Sequence, residues 1–164
     1  MRFVKLALIS AVVLFTVIYL FSLIIPSQVR ISRAVNISVP KDSLLPALTD
    51  LRQWRLWNEM VNSEDLTNKQ FTENLISSDQ QKVTRKAQVG DTLYTDWQQT
   101  NARVLNSGFT WQESNGQLVL QWYFDIKLNW YPWEKFGSIV FDKQLGPPME
   151  NSLGNLKKLL EKNP

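Results

Sequence analysis

From Leu6 to Ile25 the chain runs for 20 residues without a charge, and only Ser10, Thr16, Tyr19 and Ser22 interrupt its apolar character. At ~1.5 Å per helical residue, such a run spans a ~30 Å hydrocarbon layer. A cleaved secretory signal would have a shorter apolar core, of roughly 7–15 residues, followed by a small-x-small site. Here the stretch ends in Leu23-Ile24-Ile25-Pro26 with no Ala-x-Ala pattern. The expectation is an uncleaved single-pass anchor that holds the protein to a lipid bilayer through Leu6 to Ile25. Residues 1–28 then form a short tail and the anchor, and residues 29–164 form one domain, sufficient for one core and too short for two.

Orientation is less strongly written. Arg2 and Lys5 precede the apolar run, while Arg30, Arg33 and Lys41 follow it, so the positive-inside rule has little imbalance to act on. A basic cluster before a first apolar helix is the usual signal-anchor arrangement. It places the domain on the outer (periplasmic) side of the cytoplasmic membrane.

With Arg2 and Lys5 set aside, 16 basic residues face 15 acidic ones, a balance that gives no support to nucleic-acid binding. The chain has no Cys, which excludes disulfides, thiolate nucleophiles and cysteine metal sites. It also has no His, which removes the usual general base and the commonest metal ligand. No metal site and no cofactor is expected. Seven Trp, eight Phe and four Tyr, most of them after Trp54, must pack a core, line a cavity or form an interface.

Between Val29 and Val39 the positions Val29, Ile31, Val35, Ile37 and Val39 are apolar and their neighbours mostly polar, the period of a half-buried strand. It begins almost directly after the anchor, so the domain should sit close to the bilayer, with Arg30 and Arg33 near lipid headgroups. Asn36-Ile37-Ser38 matches a glycosylation sequon, although an ordinary solvent-facing Asn accounts for it better. Pro40 ends the strand. Leu44, Leu45, Leu48 and Leu51 then recur at helical spacing, with Asp42 or Ser43 as N-cap and Pro46 confined to the first turn. Asp50 to Trp57 reads as a second short helix or turn. Residues 58–81 read as a long loop with one edge strand near Lys69–Asn74.

Further candidate strands are Lys82–Gln88, Thr92–Gln98, Arg103–Trp111, Leu118–Leu128 and Gly137–Phe141, separated by turn signals at Val89-Gly90-Asp91, Ser114-Asn115-Gly116 and Tyr131-Pro132-Trp133. Leu118, Leu120, Trp122, Phe124, Ile126 and Leu128 alternate along one strand and predict a buried face. After Gly146-Pro147-Pro148, the residues Met149, Leu153, Leu156 and Leu160 mark an amphipathic helix running to about Lys162.

Three segments together resemble the START-like (SRPBCC, polyketide cyclase/dehydrase) superfamily. Arg30-Ile31-Ser32-Arg33-Ala34-Val35-Asn36-Ile37-Ser38-Val39-Pro40 resembles its opening strand. Asp50-Leu51 to Trp54 to Trp57 resembles its "DL-x-x-W-x-x-W" segment, and Gly146 through Leu153-Gly154-Asn155-Leu156-Lys157 its closing "G…L-x-x-L-K" helix. Membrane-anchored bacterial members share the leading apolar helix. The resemblance implies an α+β helix-grip fold, in which a curved antiparallel sheet wraps around a long C-terminal helix and leaves a cavity between them. Residues 58–81 depart from the pattern by lacking its "pW" and Gly-rich features. The strand read around Trp130-Tyr131-Pro132-Trp133-Glu134-Lys135-Phe136 departs by being unusually aromatic.

No catalytic pattern is shared across that superfamily, so catalytic candidates must come from the residues themselves. Arg103, Glu113, Asp96 and Asp125 are titratable and stand on strands. Asp96 and Asp125 are out of phase with the apolar faces. Glu113 shares parity with Phe109 and Trp111 and is the best candidate for a buried catalytic carboxylate, although a surface Glu at a strand end beside the Asn115-Gly116 turn explains it better. A ligand cavity has better support: Trp97, Phe109, Trp111, Trp122 and Phe124 are suited to line one, with plain core packing as the alternative for each. The function favoured is non-catalytic binding of a small hydrophobic, lipid-like or aromatic molecule. A cyclase- or hydrolase-like enzyme using cavity carboxylates, and an interaction protein with a filled core, are the alternatives.

Overall fold

The computed structural model describes residues 2–114, 116–129 and 131–162. Helix α1 (Arg2–Ile24) leads directly into strand β1 (Gln28–Ile37). Its apolar side chains are exposed from Phe3 to Ile24, with Ser22 buried at its end. It is long and apolar enough to cross a membrane.

Helix α2 (Lys41–Thr49) follows, then a 3-10 helix (Leu51–Leu56) and the single turn α3 (Glu59–Asn62). The strands β2 (Gln70–Phe71), β3 (Leu75–Ser77), β4 (Gln81–Val89), β5 (Thr92–Gln99), β6 (Val104–Ser114) and β7 (Gln117–Lys127) come next. They join β1 in one seven-stranded antiparallel sheet of order β1-β7-β6-β5-β4-β3-β2. The chain closes with α4 (Pro132–Gly137), a 3-10 turn (Ser138–Val140) and α5 (Phe141–Lys162). The architecture is α+β. Met149, Leu153, Leu156 and Leu160 of α5 are buried with Leu118, Leu120, Trp122, Phe124 and Ile126 of β7 in one core, so the expected alternation on both elements is realised.

Four local expectations are corrected. Helix α2 starts at Lys41 with Pro40 as its cap, not at Asp42 or Ser43, which moves Pro46 out of the first turn. Its lost N–H is tolerated because Leu44, Ala47 and Leu48 are buried and hold the helix by packing. Residues 58–81 are more ordered than a loop with one strand: Asn58 caps α3 by accepting from the Met60 amide, and β2 and β3 form a short hairpin.

The third correction concerns Gly137–Phe141 and the aromatic stretch 131–136 before it, neither of which is a strand. Pro132 takes the first helical position with Glu134 in the first turn, so the segment nucleates a helix instead. Helix α5 therefore begins at Phe141 and continues through Gly146-Pro147-Pro148, eight residues before Met149. The two prolines free the carbonyls of Lys143 and Gln144, both on exposed residues where solvent can satisfy them.

The fourth concerns Arg33. It shares parity with Ile31 and Val35 and points towards α5, where it pairs with Asp142 at 3.0 Å and donates to the Ser32 carbonyl. Arg30 lies on the other face, paired with Asp125 at 2.7 Å and set over the Tyr123 ring at 4.1 Å. The turn at Gly90 needs a left-handed residue, with φ of 57°. Asn115 and Trp130 lie outside the described residues.

Candidate functional site

Inward parity on β5, β6 and β7 brings Trp97, Phe109, Trp122 and Phe124 into one cluster. Phe109 stacks on Trp122 with centroids 4.9 Å apart, and Trp97 meets Trp122 at 5.8 Å and Phe124 at 5.3 Å. Trp54 of the 3-10 helix and Trp57 directly after it add two further rings. Trp54 lies 5.3 Å from Phe109 and 5.9 Å from Trp97, and Trp57 lies 5.3 Å from Trp54. A buried indole N–H needs an acceptor, and each has one. Trp54 donates to the Leu48 carbonyl, Trp57 to that of Ala47, Trp97 to Thr95 Oγ1 and Trp122 to Ser107 Oγ, which itself donates to the Tyr123 carbonyl.

Trp111 lies apart from this cluster, at the end of the sheet where Ile37 pairs with Leu118. Its Nε1 donates to Asp91 Oδ1 at 3.1 Å, and Lys41 sits 5.8 Å from its ring centroid. Asp91 also accepts from Lys41, and that bond, helped by the Trp111 donor, holds its carboxyl below the usual range. These contacts secure α2 to the β4–β5 turn.

Two cavities open at the opposite end of the sheet, where β1 begins and β7 ends. The smaller, about 150 Å³, is walled by Trp97, Phe124, Leu105, Met60 and Leu145 and rimmed by Gln81, Gln98, Gln99 and Arg103. The larger, about 470 Å³, is lined by Leu105, Ile126, Leu128, Gly137 and Phe141, with Arg103 and Glu134 among its polar members. Arg103 and Leu105 belong to both, so the cavities adjoin at β6. Of the five aromatic candidates, Trp97 and Phe124 border this space, whereas Phe109, Trp111 and Trp122 border none of the cavities described. A third, open groove of about 1050 Å³ beside α3 is polar, with Glu59, Glu64, Asp65 and Asp79 on its walls.

The titratable candidates separate in the same way. Glu113 stands exposed on β6 opposite Leu118, near the sheet end remote from both cavities, so it is not a buried carboxylate. Asp96 pairs with Lys86 at 2.9 Å, and Asp125 with Arg30. Asp125 also borders the larger cavity, whereas Arg103 borders both. Arg103 meets Glu134 at 3.1 Å, and Glu134 also accepts the Asn129 amide at 2.7 Å and its side-chain amide at 2.9 Å. The Asn129 backbone donor, with the Asn129 side chain and Arg103, holds the Glu134 carboxyl below the usual range. A carboxylate held ionised and paired serves as a strut across the mouth rather than as a proton donor. Sequence reasoning missed Glu134. Its signal was the helix start at Pro132, two residues before it.

Among the described residues, no group of three acidic side chains converges as a metal site requires. The arrangement offers an apolar pocket with a guanidinium at its rim, suited to holding an apolar body and orienting one polar end.

No family profile and no curated protein matches the chain. Solved structures do. DynU16, a protein in the dynemicin biosynthetic locus, superposes with a TM-score of 0.54 at 20% identity, over 80% of this chain and 47% of its own. CalU16 from Micromonospora echinospora gives 0.54 at 11% identity, over 82% and 66%. The Bacillus halodurans protein BH1534 gives 0.59 at 12% identity, over 82% and 99%. The fold is START-like, a helix grip. In this helix grip α5 is the held helix, and the paired cavities lie between its N-terminal half and the sheet. The chain spans about half the length of DynU16 and just under two thirds of one CalU16 structure, so the likeness concerns the fold alone.

Proposed function

We propose that the protein is a membrane-anchored START-like domain that binds a small apolar molecule non-catalytically in the paired cavities beneath α5. The observation that carries this reading is the apolar wall of Trp97, Leu105, Phe124 and Leu145, at the sheet end that adjoins the anchor helix. The larger cavity is within the size class of small-ligand sites, and the smaller one adjoining it suits a ring or short chain. Trp97 and Phe124 contact the ligand. Phe109, Trp111 and Trp122 form the packed structure behind and beyond them, and Arg103 meets the polar end.

In the same reading α1 spans the bilayer from Leu6 to Ile25 and the domain faces the periplasmic side. A membrane-derived ligand then has a short path, because Leu128 N–H donates to the Ser27 carbonyl at 2.9 Å and joins the cavity end of β7 to the anchor linker. Native mass spectrometry of the full chain, released from membranes in mild detergent, tests the binding. Retention of a small apolar molecule that Leu105→Trp removes supports it, and an empty chain in both cases refutes it.

A second reading has its own observation. Trp54, Trp57, Phe109 and Trp122 are at most 1% exposed and pack against one another in the far part of the grip, as an interaction protein with a filled core would require. An empty chain that nevertheless co-purifies with one stoichiometric protein partner favours that alternative.

A further inference from the structure

The anchor helix is bound to the folded domain through a buried lysine. Lys135 of α4, 6% exposed, donates from Nζ to the carbonyls of Ser22 and Ile25, each at 3.0 Å, so its charge sits at the C-terminal end of α1, where the helix dipole favours a cation. Ser138 continues this inward face and donates to the Lys135 carbonyl. Helix α4 is therefore fixed in height relative to the end of α1.

The other face of the same segment carries Trp133, Phe136 and Val140, spaced three and four residues apart, with exposures of 65%, 40% and 47%. Tyr131 stacks on Trp133 with centroids 4.8 Å apart and 12° between planes. These exposed aromatic and aliphatic side chains stand one turn apart beside the end of a helix whose own apolar surface is exposed from Phe3 to Ile24.

We infer that residues 131–140 form an interfacial element that seats Trp133, Phe136 and Val140 in the headgroup region of the bilayer that α1 spans. The inference rests on the anchor reading above, and commits to lipid as the occupant. Trp and Tyr favour that depth because they combine an apolar ring with a polar edge, and α4 is held at the end of the apolar run, where the headgroup layer lies. Glu134, Gly137 and Phe141 belong to or adjoin the same segment and line the larger cavity, so its mouth faces the membrane surface. The element then acts as a doorstep: the cavity opens onto lipid rather than bulk water.

The chain has no Cys, which makes single-site labelling clean. Phe136→Cys, Val140→Cys, Leu14→Cys and Val89→Cys variants of the full chain, each carrying an environment-sensitive NBD label, are reconstituted in phosphatidylcholine/phosphatidylglycerol vesicles. Nitroxide lipids of shallow or deep label position and aqueous iodide serve as quenchers. Leu14 lies midway along α1, and Val89 lies at the β4–β5 turn, at the opposite sheet end. The expected result is deep-nitroxide quenching at Leu14, shallow-nitroxide quenching with a blue shift at Phe136 and Val140, and iodide quenching alone at Val89. Quenching at Leu14 with iodide access at Phe136 and Val140 overturns the interfacial element and leaves the anchor standing. Quenching at Leu14 with neither quencher reaching Phe136 and Val140 also overturns it, in favour of a protein partner. Loss of lipid quenching at Leu14 overturns the anchor reading and the inference with it.

Discussion

Gly146 of α5 lies directly on the guanidinium of Arg33 of β1: a methyl group added at Gly146 would collide with Arg33 Nη2 and Cζ. The closing helix thus approaches the first strand through a glycine because a long cationic side chain lies between them. Alanine is favoured over glycine in a helix by about 1 kcal/mol. Here the displaced guanidinium, drawn off Asp142 and the Ser32 carbonyl, opposes that gain. We expect Gly146→Ala to gain little or nothing in the native chain, where Arg33 must move aside, yet to stabilise an Arg33→Ala background by about 0.5–1 kcal/mol. Denaturant midpoints of the four chains give the coupling directly, and additive effects would contradict the contact.

Leu156 is fully buried against the sheet. Leu156→Ala should cost roughly 2–5 kcal/mol, as truncation of a core leucine does when its surroundings cannot collapse. Leu153→Ala should behave alike. Urea unfolding is the readout, and a loss below about 0.5 kcal/mol, the range of surface substitutions, would remove α5 from the core.

The strut at the cavity mouth is pH-dependent in a defined direction. Because the Asn129 donors and Arg103 lower the folded pKa of Glu134, its stabilising contribution is complete above the ordinary Glu value of about 4.3 and is lost as pH falls through the depressed value. Amide exchange around Asn129 and α4 should therefore be insensitive to pH between 7 and about 5, once corrected for intrinsic rates, and accelerate below about 4. Glu134→Gln should show the faster exchange already at neutral pH. Equal protection in both chains would mean that the strut does not hold the mouth.

Much of the frame was legible in the sequence because period-2 and helical spacing report which faces are dry. Leu118 to Ile126 and Met149 to Leu160 are instances where burial follows parity directly. The misreadings share one cause, the assignment of local signals without their tertiary partners. Pro147-Pro148 looked like a helix start because two prolines remove two helical bonds, but α5 starts earlier, at Phe141, and runs through them. Arg33 looked like a headgroup-facing cation, although its odd position already placed it inward. Of the candidate site, the aromatic supply was visible, while its partition was not: Trp97 and Phe124 reach the open end of the grip, and Trp111 is spent on Asp91 at the other. Arg103 was among the candidates, whereas Glu134, across the cavity mouth, fell in an aromatic stretch read as a strand rather than as the start of a helix.

The central claim is that an apolar molecule occupies the space between Leu105, Phe124 and Leu145, and photocrosslinking tests it most directly. A benzophenone amino acid replaces Leu145 in the full chain in native membranes, with the same substitution at exposed Tyr94 as reference, and intact mass is measured after irradiation. The account predicts a discrete small-molecule adduct at Leu145 that Leu105→Trp abolishes, and none at Tyr94. Absence of an adduct at Leu145, or one of equal yield at Tyr94, would contradict it.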